Sequence, residues 1–88
     1  MDYKNLFNLT GKYALVIGAG SGIGREAALG LAAFGATVAC ADVSPKPLES
    51  LMQEMGNTAT THSVDLTQQQ SVNDLISGLP KLDILVCT

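Results

Sequence analysis

Two kinds of residue in this chain have types and spacings that could do chemistry: a glycine cluster and two carboxylates. Gly18, Gly20, Gly22 and Gly24 follow directly on the apolar run YALVI at residues 13–17. Residues 26–34 come next, dominated by alanine and leucine, which are strong helix formers. Strand, glycine turn and helix in that order make an anion cradle. The first N–H groups of a helix lack intrahelical partners, and the aligned peptide dipoles leave partial positive charge there. Glycines let the backbone turn sharply and come close to a phosphate with no Cβ in the way. The carboxylates are Asp42 and Asp65. Asp42 closes the second apolar run, ~20 residues after the glycine turn, where an acid can accept hydrogen bonds from both adenosine ribose hydroxyls and repel a 2′-phosphate.

Spacing narrows the choice of phosphate loop. A Walker loop needs Gly-Lys-Ser/Thr, and here Gly24 is followed by Arg25 and Glu26. The G-x-G-x-x-G fingerprint started at Gly18 meets Ile23 where its third glycine belongs. Started at Gly22, the variant ending in alanine matches through Ala27 but begins four residues past the strand. Gly18-x-x-x-Gly22-Ile23-Gly24 fits without adjustment. This resembles the first turn of the short-chain dehydrogenase/reductase family, Thr-Gly-x-x-x-Gly-Ile-Gly, with Ile17 in place of the threonine.

The resemblance implies cofactor contacts at Gly18, Ser21, Gly22, Ile23 and Gly24 in the turn and at Asp42 on the ribose. It also places Asp65 and the backbone of Leu66 at the adenine ring. In that family the acid at position 42 marks NAD preference, and NADP users carry a basic residue beside it or before the second motif glycine. Val43 and Ser21 occupy those positions, so NAD is expected, with Lys46 the one nearby cation that keeps NADP as the lesser alternative.

The elements that must position these residues read as βαβαβαβ. Ile23, Ala27, Leu31 and Phe34 are spaced as the buried face of the first helix, which Gly35 ends. Gly30 inside it suggests close approach to a strand. Residues 36–41 form a second strand covered on both faces. Ser44-Pro45 starts a second helix with Leu48, Leu51, Met52 and Met55 on one face, stopped by Gly56-Asn57. Residues 58–64, rich in threonine, suit an edge strand. Thr67 with Gln70 reads as a capping box for a third helix, with Val72, Leu75, Ile76 and Leu79 inward and Gly78 and Pro80 ending it. Residues 82–86 form the last strand. Residues 1–11 read as an arm whose Leu6, Phe7 and Leu9 pack on the body.

Alternating strands and helices give an α/β fold, a partial Rossmann-type doubly wound parallel sheet. Right-handed crossovers and the nucleotide-binding order together place the strands as 3-2-1-4, with the first strand central. Residues 1–88 are then the N-terminal portion of one dinucleotide-binding domain.

Composition excludes other classes. A net charge of −3 offers no basic surface for nucleic acid, and no stretch approaches ~20 apolar residues, so no membrane span is expected. Cys40 and Cys87 lie in strands without metal-ligand spacing and are expected as buried thiols, with no metal. His62, the single histidine, reads as structural. A cytoplasmic protein is expected.

The resembled family uses a serine and a Tyr-x-x-x-Lys pair with NAD to interconvert alcohols and carbonyls. Tyr3 and Tyr13 are the only tyrosines, and neither is followed by lysine four residues on, so no catalytic residue is expected within these 88 residues. Asp83-Ile84-Leu85-Val86 matches the family's lead-in to Asn-Asn-Ala-Gly, with Cys87 and Thr88 at the asparagine positions. The expected parent is a homo-oligomeric oxidoreductase of which this is the truncated front. The alternatives are a non-catalytic, regulatory dinucleotide-binding module, or a truncated product associating with full-length subunits through an open edge of the last strand.

Overall fold

A computed structural model describes residues 7–20, 22–55 and 59–88. The elements in chain order are β1 (Tyr13–Ile17), α1 (Gly22–Ala33), β2 (Thr37–Asp42), α2 (Pro45–Met55), β3 (Ala59–Ser63), α3 (Gln69–Ser77) and β4 (Ile84–Cys87). The strands form one parallel sheet in the order β3-β2-β1-β4. The alternation of strand and helix demands this, because each parallel pair needs a crossover long enough to return the chain to its starting end.

The strand period of two divides the core. Ala14, Val16, Val38 and Cys40 face one way and pack with Ala28 of α1 and with Leu48 and Leu51 of α2. Leu15, Ile17, Ala39 and Ala41 face the other way, against Val64 and Leu75 of α3. Leu48 and Leu51 are buried, each contributing about 1.5–3 kcal/mol of transfer free energy. The sheet is therefore covered by two helices on one face and one on the other.

Several expectations about local structure are corrected. α1 starts at Gly22, inside the glycine cluster, so Ile23 is helical as expected, but the buried face differs. Its buried residues are Gly24 and Ala28, while Ile23 is 80% and Phe34 55% exposed. Small side chains let the helix sit closer to β1 and β2 than leucine-sized ones would. A Cβ on Gly30 would meet nothing within 4 Å, so close approach does not account for that glycine. Helix α3 is not capped by Thr67: its N-cap is Gln68, with no side-chain cap bond. The helix begins one residue later than a Thr67 cap requires, and Thr67 is held in the preceding turn, its hydroxyl and its amide both donating to Asp65 Oδ1 at 2.6 and 2.9 Å. Ile76 is exposed, leaving Val72, Leu75 and Leu79 as the inward residues of that segment.

β4 is displaced from the expected span, starting at Ile84 and taking in Cys87. Cys87 is exposed rather than buried, because β4 is an outer strand and its alternate residues Leu85 and Cys87 have nothing packed on them. Among the arm residues Leu9 packs on the core and its amide donates to Phe34 O, but Phe7 is exposed. Leu6, the strand start at Thr58 and the helix stop at Gly56-Asn57 lie outside the described residues.

Candidate functional site

The carboxyl ends of the strands carry the site. β1 ends at Ile17, and the next residue, Gly18, turns with φ +87°. The turn is tied to the end of β2 by three successive amides. Gly18 N and Ala19 N both donate to Ala41 O, at 2.8 and 3.1 Å. Gly20 N donates to Asp42 Oδ2 at 2.9 Å. The chain then enters α1 at Gly22 with φ +61°. Because residues 18–20 have spent their N–H groups on β2, the amides left to meet an anion among the described residues of this segment are those at the start of α1. These lie at Gly22, Ile23 and Gly24. In front of Gly22 a Cβ would meet nothing within 4 Å, so an approaching group finds open space there.

Asp42 is half-buried and accepts at both oxygens, from Gly20 N and, at Oδ1, from Val43 N at 2.7 Å. Each carboxylate oxygen has two acceptor directions. One on each oxygen remains for a ligand, the number a vicinal diol needs.

A cleft of about 320 Å³ opens beside this turn, lined by Gly18, Asp42, Val43, Val64, Asp65 and Leu66, with Thr88 at the end of β4. Its walls are mostly apolar, suited to a flat ring, with the two carboxylates as polar groups. Asp65 is exposed and accepts at Oδ1 from both the hydroxyl and the amide of Thr67. The hydroxyl bond, then the amide bond, hold its carboxyl below the ordinary carboxylate value. Its own amide donates to Ser71 Oγ at 3.1 Å, anchoring the loop to α3.

The sequence-derived candidates thus fall into two places. Gly18, Asp42, Asp65 and Leu66 line the cleft together, and Gly22, Ile23 and Gly24 form the helix start beyond the turn. Ser21 lies outside the described residues. Sequence reasoning passed over Val43, Val64 and Thr88 as lining residues. Val64 follows β3 and packs on the sheet face opposite the one that buries Ala59, so alternation from Ala59 does not signal it, and Thr88 comes close only because β4 pairs with β1 (Thr88 N to Ile17 O, 3.1 Å). It also passed over Gly20, whose amide binds Asp42.

Tyr13 starts β1, at the end of the sheet away from this cleft, where Lys81 lies 5.4 Å over its ring. His62 Nε2 is 2.9 Å from Thr60 Oγ1 on β3. Among the described residues no group of three or more His, Cys, Asp or Glu could hold a metal ion. No described helix is long and apolar enough to cross a membrane.

Comparison with known proteins gives a consistent result. The profile of a family described as short chain dehydrogenase matches residues 12–88. The 7alpha-hydroxysteroid dehydrogenase of Escherichia coli K12 is 38% identical over 85 residues, covering 89% of this chain and 33% of that protein. A 3-oxoacyl-[acyl-carrier-protein] reductase of Rickettsia felis is 37% identical over 82 residues, 93% of this chain and 34% of that protein. The crystal structure of a short-chain type dehydrogenase/reductase from Mycobacterium marinum superposes with a TM-score of 0.85 at 34% identity. It covers 97% of this chain and 37% of that one. The chain spans about a third of the length of the curated relatives it matches.

Proposed function

The chain belongs to the short-chain dehydrogenase family, and from that premise we propose that it is the cofactor-holding front of an oxidoreductase that uses NAD to interconvert an alcohol and a carbonyl. The observation that carries the choice of NAD is Asp42. Its carboxylate closes β2 beside the glycine turn and keeps one free acceptor direction on each oxygen. Two hydroxyls on an adenosine ribose would satisfy both, whereas a 2′-phosphate would bring negative charge against a carboxylate.

The residues present fit a dinucleotide. Gly22, Ile23 and Gly24 would hold the pyrophosphate at the start of α1, where free amides and the helix dipole favour an anion. Asp42 would bind the ribose. Asp65 and the Leu66 backbone would meet the adenine, with the apolar walls Val43 and Val64 excluding water from the ring. When bound, NAD supplies the hydride acceptor or donor. The acid–base group is assigned to no residue of this chain. Tyr13 is at the wrong end of its strand, so the serine and Tyr-x-x-x-Lys pair would come from the remainder of a full-length protein.

Titration of the full-length protein with NAD and NADP by calorimetry tests the reading. NAD is expected to bind at least roughly tenfold more tightly, the scale of a lost charged hydrogen bond. Equal affinities would remove the role of Asp42 at the ribose.

A further inference from the structure

We propose that Asp42 is also a positioning residue for the glycine turn, setting where the α1 amides stand as well as reading the ribose. This rests on the reading above that the turn holds a dinucleotide.

Residues 18, 19 and 20 are fastened in sequence to the end of β2. The first two bonds end on Ala41 O, a backbone acceptor that any residue at 41 would provide. The third, from Gly20, ends on the Asp42 side chain and is the only one of the three whose acceptor a side-chain substitution can remove. Gly20 is the last described residue before Gly22, where the helix and its free amides begin. Its fastening therefore fixes the origin of α1 relative to the sheet.

The fit around Gly20 shows how closely the parts are joined. A Cβ on Gly20 would lie 2.7 Å from Asp42 Oδ2 and 2.9 Å from Pro47 Cβ. Both distances are below any normal contact, so the turn is seated between the carboxylate and the first turn of α2. The carboxylate could swing away from a larger residue, but the ring of Pro47 is held by its helix. Asp42 can serve turn and ligand together because the turn uses one acceptor direction of Oδ2 and Val43 uses one of Oδ1.

Truncating Asp42 then removes two separable things: the ribose hydrogen bonds and the placement of the phosphate-facing amides. A ligand without ribose hydroxyls isolates the second. The probe is 2′,3′-dideoxyadenosine 5′-diphosphate, titrated into the full-length protein, with ADP as its hydroxyl-bearing counterpart. Backbone amide exchange at Gly20 in the unliganded protein gives a readout that needs no ligand.

With Asp42→Ala, affinity for the dideoxy nucleotide is expected to fall roughly fivefold or more and Gly20 exchange to rise about tenfold, the scale of one hydrogen bond to a charged group. Asp42→Asn keeps an acceptor oxygen and should recover most of the dideoxy-nucleotide affinity and Gly20 protection. An Asp42→Ala protein with unchanged dideoxy-nucleotide affinity, or with Gly20 still protected, overturns the positioning role. So does an Asn variant no better than alanine. Failure of the unmodified protein to bind NAD or ADP would instead overturn the cofactor reading, and the exchange data would still decide whether Asp42 holds the turn.

Discussion

Gly24 rests its Cα against the carbonyl oxygen of Gly18, so closely that a Cβ on Gly24 would overlap that oxygen and stand 3.0 Å from Thr88 Oγ1. The obstruction is backbone, which cannot rotate aside as a side chain can. The third glycine of the Gly-x-x-x-Gly-Ile-Gly pattern is therefore a packing residue: it lets α1 begin directly against the end of β1.

Gly24→Ala should accordingly destabilise the protein by about 2 kcal/mol or more, the cost of overpacking a site that cannot relax. Gly30→Ala, in the same helix with open space around it, should stabilise by up to about 1 kcal/mol. Urea unfolding of both variants checks the pair, and a neutral Gly24→Ala would contradict the contact.

Gly22→Val should lower NAD affinity at least roughly tenfold. The position has φ +61°, which a β-branched residue strongly disfavours, and the space before it is where a phosphate would approach. Calorimetric titration with NAD tests this, and retained affinity would mean that the phosphate site is elsewhere.

Cys40 is wholly buried between the sheet and α2, with its Sγ 3.8 Å from Met55 Sδ, and burial pushes its thiol up to about 11 from 9.0. The folded protein keeps this proton between those values while the unfolded chain loses it. The stabilisation is thus complete below pH 9.0 and declines as pH rises toward 11. A thiol reagent at pH ~8 should label Cys40 only after unfolding, as read by peptide mass spectrometry. Rapid labelling in the native protein would refute the burial.

Asp83 staples β4 to β1: its Oδ2 accepts from Tyr13 N at 2.8 Å, and its own amide donates to Tyr13 O at 2.8 Å. The Tyr13 bond holds its carboxyl below the ordinary 3.8, with Lys81, 3.5 Å away, pulling in the same direction. A depressed carboxyl stabilises the fold above pH 3.8, and the contribution fades as pH falls below that value. Asp83→Asn should therefore flatten the acid limb of the stability–pH curve. An NMR titration of the Asp83 carboxyl should show a midpoint under 3.8. A midpoint at or above it would mean that the Tyr13 bond is absent in solution.

The chain order of elements was legible because the signals are local. An apolar β-rich run, a glycine cluster and an alanine–leucine run each specify a backbone state within a few residues, and their alternation leaves a parallel sheet as the way to bury both strand faces. Pro45 at the first position of α2 and Gly35 after α1, with φ +102°, mark helix ends by constraints carried within the residue itself. The placement of Asp42 at the end of β2 follows from the same local logic. The strand order does not follow from crossover handedness alone, which a sequential sheet would also satisfy; it is expected from the nucleotide-binding arrangement that the glycine turn implies.

What only the tertiary structure decided is where competing local options met a neighbour. Helical spacing shows that α1 has an apolar stripe but not which phase of it turns inward. The need to approach β1 closely selected Gly24 and Ala28 and turned Ile23 and Phe34 outward. Thr67 could have capped α3, yet Asp65 holds it in the turn before the helix through both its amide and its hydroxyl, and the helix starts one residue later. Cys87 has the composition of a core residue and the exposure of an outer-strand one, because burial depends on what packs over a strand and not on the strand. The bond from Gly20 to Asp42 joins residues 22 positions apart, and no local signal records it. Sequence fixes what each segment can be; the packing of one segment on another decides which of its side chains meet, and the geometry of this site comes from that second step.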